Sequence, residues 1–245
     1  MAHQPSTKQS RLNFSFPFIV GCLLISSTCS AQLFSKERIA NLENFDNQFL
    51  TWGFTLGLNL YDYKFDYTEI TPEVAVAKNV GFHVGLIGDM RINDYFNLRF
   101  EPSAVFTRRD LFFQDPSFTT PEQRLREVNS TYVHLPLLLK VSTKRKNNWK
   151  PFIVGGVSYS RNLSSNEENP DDNLAGQFRQ ATDVFNYELG LGVDLYLFFF
   201  KFTPSIRGVF AMSDELVQDN DPNSPYTSNI SSMQSRGVFL NFSFQ

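Results

Sequence analysis

Apart from His3, the sequence carries two histidines, His83 and His134, the side chains best suited to exchanging protons near neutral pH. A histidine base needs a nucleophile and an orienting acid within hydrogen-bond reach, and Ser103 or Ser130 with Glu101 would supply both. Nothing in the spacing draws these residues together. A second set is acidic: Glu167, Glu168, Asp171 and Asp172, then Asp219 and Asp221, offer oxygen ligands for a divalent cation. "DNDPNSP", from Asp219, opens like a calcium loop, but it lacks glycine at the sixth position and has Ile230 where a bidentate glutamate belongs. Solvated acidic loops are the better reading. A third set is Asp89, Arg91, Arg99, Glu101, Lys140, Glu188, Asp194, Lys201 and Arg207, five cations and four anions scattered through apolar segments. Charges so nearly balanced suit mutual pairing, because buried unpaired charge is very costly.

The segments that position these groups alternate with period two. In "TWGFTLGLNLYDY" (51–63), Trp52, Phe54, Leu56, Leu58 and Leu60 point one way, and Thr51, Gly53, Thr55, Gly57 and Asn59 the other. The pattern returns over 81–92, 96–107, 131–142, 186–197, 200–210 and 236–244, and the glycine-rich run 151–161 adds an eighth strand. The third set of charges falls on the polar faces. Connections alternate: short at 93–95, 143–150 and 198–199, long at 62–80, 108–130, 162–185 and 211–235. An even number of strands, with short turns at one end and long loops at the other, is the layout of an outer-membrane barrel. Closure satisfies the backbone groups that lipid cannot. Strands of about ten residues tilted about 40° span the ~25 Å apolar band of such a membrane.

Aromatic residues make up 15% of the chain, with 26 Phe. Trp52, Phe96, Trp149, Phe198, Phe199, Phe200, Phe242 and Phe244 all fall at the short-turn end, as a girdle at the inner membrane interface would. The lumen of an eight-stranded barrel is just wide enough for side chains, so the charge network fills it and leaves no open channel. Pro102, Pro136 and Pro204 remove ladder donors inside strands, and bulges are expected there.

Ahead of the barrel, Lys8 and Arg11 precede the apolar run Phe14 to Ile25 and the small residues "SSTCSAQ", the layout of a secretory signal peptide cleaved after Ala31. "IVGC" offers the alternative of a lipoprotein signal ending at Cys22, with a very short apolar segment. Cleavage after Ala31 removes both cysteines, and with them any disulfide framework or thiol chemistry. The domain reading is thus 1–31 signal peptide, 32–48 periplasmic segment and 49–245 barrel. Leu33, Ile39, Leu42 and Phe45 form a short apolar stripe that would dock under the barrel or bind a partner. Net charge is −3 with no basic block, which argues against nucleic acid as a partner.

Three stretches carry a likeness: "NLENFDNQFLTWGFTLGLNLYDYKF", "YVHLPLLLK" and "KPFIVGGVSYS". Together they resemble the PorT family of Bacteroidota outer-membrane barrels over essentially the whole mature chain. The chain end, "SRGVFLNFSFQ", resembles the assembly signal of such barrels, although Gln245 replaces the usual terminal aromatic. The resemblance implies a non-enzymatic outer-membrane component of type IX secretion, linked to gliding motility, that works through protein contacts with that machinery. It supplies no catalytic residue, metal or cofactor. Lipid and lipopolysaccharide are the other expected partners, and both ends of the barrel are expected in the periplasm. Two alternatives stand beside it. One is a binding or adhesion barrel acting through the acidic loops. The other is a lipid A-modifying enzyme, against which "HVG" and "HLP" lack the His-x-Ser spacing of the lipid A deacylase barrels.

Overall fold

The structure, a computed structural model, describes residues 40–69, 74–115, 118–169 and 178–245. The signal-peptide reading, residues 32–39, and Asp171 and Asp172 lie outside them. Ten strands form one antiparallel sheet: β1 Leu50–Tyr67, β2 Ala75–Lys78, β3 Val80–Arg91, β4 Phe96–Phe100, β5 Ser103–Phe112, β6 Leu125–Ser142, β7 Trp149–Asn162, β8 Asp183–Tyr196, β9 Lys201–Ala211 and β10 Ile230–Phe244. β1 pairs with β10 on one side and with β3 on the other, which closes the sheet into a barrel. The count of ten differs from the eight read in the sequence because two staves are interrupted. β4 and β5 lie in one register against β6, with Phe100 opposite Leu137 and Ser103 opposite His134. β2 and β3 lie along β5 in turn, separated by Asn79. No helix among the described residues is long and apolar enough to cross a membrane; a barrel crosses with strands.

The prolines do not produce the expected bulges. Glu101 N–H donates to the Pro136 carbonyl, and Pro136 has no N–H to return the bond, so the ladder opens at Glu101–Pro102 without changing register. Pro204 has a similar effect: pairing between β8 and β9 skips Val193 and Asp194 and resumes in step. The register shift in the β1–β10 ladder falls instead between Asp66 and Tyr67.

Side chains alternate across the wall as the lipid requires. Trp52, Phe54, Leu56, Leu58 and Leu60 of β1 are exposed outside, as are Val238 and Leu240 of β10, while Thr51, Thr55, Asn59 and Asn241 are buried inside. Beyond Leu60 the sense reverses: Tyr61 and Tyr63 turn inward and Lys64 outward. β1 and β6, 18 residues each, therefore carry the wall past the lipid band. There the barrel encloses an apolar core of Tyr63, Leu111, Phe113, Phe118, Val128, Phe178, Tyr226 and Met233. Water surrounds this part of the wall, so apolar groups gain by facing in.

The proposed girdle residues lie at the opposite, short-turn end. Phe198 and Phe199 form the β8–β9 turn and are almost fully exposed, with Trp52 and Phe96 also exposed. Phe244 stacks on Phe54 across the closing seam at 5.1 Å, and Phe202 stacks on Phe242 at 6.3 Å. Phe200 packs against Phe244 at 5.9 Å, and Trp149 starts β7 beside the 143–148 turn.

Candidate functional site

The lumen holds a chain of charges supplied by five strands and by Glu101 in the break between β4 and β5. Its inner end is Asp89, from β3, which accepts hydrogen bonds from Asn97 Nδ2 at 2.6 Å and Arg99 Nε at 3.0 Å. Arg99 reaches on to Glu101 at 3.2 Å, and Glu101 accepts from Arg207 Nη1 at 2.7 Å. Arg207 Nε lies 2.9 Å from Glu188, a close charge contact, and Glu188 lies 2.8 Å from His134 Nε2; both are set off the line of an N–H bond. A branch joins Lys140 to Asp194, whose other oxygen accepts from Thr203 at 2.8 Å. Phe152 packs beneath the cations, its ring 4.3 Å from Lys140 Nζ and 5.5 Å from Arg99 Cζ. Every group in this chain is buried, so each ion stands in for water that the others have lost.

Two charges from the sequence set fall outside the chain. Arg91 ends β3, where the lumen gives way to the turn, and it pairs with Asp94 across that turn. Lys201 is buried, but its ammonium lies over the Phe45 ring at 4.7 Å and forms no ion pair among the described residues.

The histidines lie inside the lumen, below the outer core. His83 Nε2 faces Asn241 Oδ1 at 2.9 Å, and His134 Nδ1 faces Ser160 Oγ at 2.7 Å. The serines proposed from sequence are not these partners: Ser130 is bonded to Arg109, and Ser103 lies opposite His134 in the ladder without meeting its ring. Ser160, His134 and Glu188 have the order of a nucleophile, a base and an acid. However, all three are at most 4% exposed, and Arg207 shares Glu188. No substrate can reach a nucleophile in that position.

Above the histidines lies a layer absent from the sequence reading. Arg109, 0% exposed, donates to Ser130 and Tyr132 at 2.9 Å each and to Ser235 at 3.1 Å. Its guanidinium lies 4.0 Å from the Tyr63 ring centroid. Ser235 in turn donates to Glu215 at 2.9 Å, so the arginine reaches a carboxylate through one hydroxyl. The loop acids serve the loops themselves. Asp219 takes Arg179 and Ser224, Asp221 caps Asn223 N–H, and Glu167 accepts from Thr182 N–H. Among the described residues no three His, Cys, Asp or Glu side chains converge to hold a metal ion.

Residues 40–48 close the short-turn mouth. Phe45–Asn47 form a 3₁₀ turn, and Asp46 accepts from Tyr196 OH at 2.6 Å. Arg145 donates to the Asn41 and Leu42 carbonyls and lies 3.7 Å from the Tyr196 ring centroid. Leu42 has φ 51°, a left-handed conformation unusual for leucine, held here by the bonds its carbonyl accepts from Arg145 and Phe45 N–H.

No curated protein matches the chain. Solved outer-membrane proteins are similar to it at low identity. OprG from Pseudomonas aeruginosa shares 14% identity with a TM-score of 0.43, over 80% of this chain and 93% of that one. Neisserial surface protein A shares 13% with a TM-score of 0.40, over 78% and 95%. Ail, the attachment invasion locus protein of Yersinia pestis, shares 10% with a TM-score of 0.36, over 79% and 96%. The family model described as outer membrane protein beta-barrel domain matches residues 31–217, most of the wall whose closure and lipid-facing alternation are described above, and the chain belongs to that family of the outer membrane.

Proposed function

We propose that the protein is an outer-membrane component needed for export by type IX secretion, acting through protein contacts and without catalysis. The observation that carries this reading is where its most PorT-like residues lie. Phe45 and Asp46, from the "ENFDNQF" approach to β1, are the ones that fasten residues 40–48 beneath the barrel. The likeness therefore falls on a periplasmic surface as well as on lipid-facing wall. The filled lumen supports the same reading, since buried, paired side chains favour work at the two rims over conduction or catalysis.

A clean deletion tests this, with comparison of secreted, surface and periplasmic proteomes. Cargo with C-terminal sorting domains should be retained in the periplasm, and the wild-type gene should restore its export. Unchanged export would sink the proposal.

A second reading, a binding or adhesion barrel, is favoured by one feature. Described residues of the outer loops, Phe113, Phe118, Phe178 and Tyr226, pack in the aromatic core, and beside it is a cavity of about 340 Å³ lined in part by Glu69, Gln114, Asp115 and Asn229. Loss of surface binding with export intact would mark that reading.

A further inference from the structure

Beneath the lumen, between residues 45–48 and the short turns, lies a cavity of about 290 Å³. Lys144, Arg145, Lys150 and Lys201 line it together with Arg91, against the carboxylates of Asp46, Asp89 and Asp94. Their charge is poorly offset. Arg145 gives its hydrogen bonds to neutral oxygens and meets Asp46 only at 3.9 Å. Lys150, 7% exposed, comes no nearer to Asp46 than 4.0 Å. Lys201, 4% exposed, has no ion pair among the described residues, and the lumen acids above it are already held, Asp89 by Arg99 and Asp194 by Lys140 and Thr203. Asp94, also on the lining, is taken by Arg91. A buried ammonium whose neighbouring carboxylates, Asp89 and Asp194, are already shared with other cations is costly, and here it faces a space that opens to water.

We propose that this cavity binds one anionic group, a carboxylate or a phosphate, from the aqueous periplasm, with Lys201 and Lys150 as its main ligands. The lining explains the choice of ligand. Lysines act as point charges with rotatable donors and accept either oxyanion, whereas a bidentate arginine fork would favour one planar geometry, and the Arg145 fork is already occupied by backbone. The cavity lies at the axis of the mouth, inside the ring of Trp52 and Phe198–Phe200 that meets the lipid, so the anion arrives from solution and not from a bilayer headgroup. The proposal does not depend on the export reading.

The test uses the intact barrel in detergent, titrated separately with inorganic phosphate and with glutarate at ionic strength matched by chloride, and follows thermal unfolding. A saturable rise in Tm with either probe and none with chloride is expected. Saturation by phosphate alone identifies a phosphate ligand, and by glutarate alone a carboxylate. Lys201→Met should lower the affinity roughly tenfold, as loss of one charge-assisted contact does. Lys201→Met also gives up the Phe45 ring contact, so its Tm without the probe serves as its own baseline, and the affinity is read from the saturation curve above that baseline, which separates lost binding from damaged folding. Lys150→Met provides the same comparison at a second position. Absence of saturation with both probes, or wild-type affinity in both variants, overturns the site.

Discussion

One guanidinium, that of Arg207, holds two buried carboxylates, Glu101 at 2.7 Å and Glu188 at 2.9 Å. Removing one partner from such a group costs far more than the group's net contribution, since the remaining charges stay buried. Arg207→Met should therefore destabilise the barrel by about 3–5 kcal/mol in urea unfolding from micelles. Adding Glu101→Gln and Glu188→Gln should recover much of that loss, because the variant then buries no orphaned ion. Failure of the triple variant to recover would mean that Arg207 acts by packing. Gly57 shows a second single-residue constraint. A Cβ there would lie 2.1 Å from the Leu240 carbonyl oxygen and 2.6 Å from His83 Cε1, so only glycine lets the imidazole lie against β1. Gly57→Val should displace the His83 ring from Asn241, seen as a change in its NMR shifts, and should cost on the order of 1–3 kcal/mol.

Among the elements, the β9–β10 connection carries a titrating group above the lipid band. Burial pushes the Glu215 carboxyl above the ordinary carboxylate range, against the pull of the Arg109 charge and of the bonds from Ser235. A carboxyl raised in this way binds its proton more tightly folded than unfolded. Its stabilisation is complete below the unfolded value of about 4.3 and is lost as pH rises through the folded value. Glu215→Gln keeps an acceptor for Ser235 N–H and cannot ionise, so its Tm advantage over the wild type should grow as pH rises from 4 toward neutrality. Parallel curves would show that Glu215 does not titrate in that range. This connection also shows where the sequence stopped being readable. Within the lipid, apolar residues face out and polar residues in, so parity alone assigned both faces of β1, β3 and β10. Beyond Leu60 the solvent changes from lipid to water and the sense inverts: Leu60 outside is followed by Tyr61 inside, two apolar neighbours that break the alternation. The wall extensions accordingly look like loops in the sequence, and Arg109, on β5 inside the span 108–130, lies in a stretch with no alternation to mark it.

For the whole molecule, seven of the nine charges on the polar faces, Asp89, Arg99, Glu101, Lys140, Glu188, Asp194 and Arg207, meet in the lumen, while Arg91 and Lys201 fall outside the chain and Arg109 carries no signal in the sequence. The cross-strand connections of the seven are not legible in the sequence, since Asp89 with Arg99 and Arg207 with Glu101 and Glu188 depend on the stagger between strands, which one-dimensional parity does not contain, whereas Arg99 and Glu101 stand two residues apart on one face. The same limit hid Ser160, which meets His134 from β7 while Ser103, in register with it on β5, does not. The closures form four layers in series: the outer aromatic core, the Arg109 layer, the ion chain from Arg207 to Asp89, and residues 40–48 across the inner mouth. Layers in series make a prediction about conduction that no single layer makes. In planar bilayers the wild type should show no ohmic steps above leak. Replacing Phe113, Phe118 and Tyr226 by serine loosens only the outer layer, and the barrel should stay silent because water entering from above still meets the paired ions. Truncating Arg207, Glu101 and Glu188 to alanine empties the middle of the tube. Combined with the serine variant, with Arg109→Ala to open the layer above the histidines and with Asp46→Ala to free the inner segment from Tyr196, it should produce discrete steps. Steps from the wild type, or from the serine variant alone, would show that the ion chain does not seal the lumen.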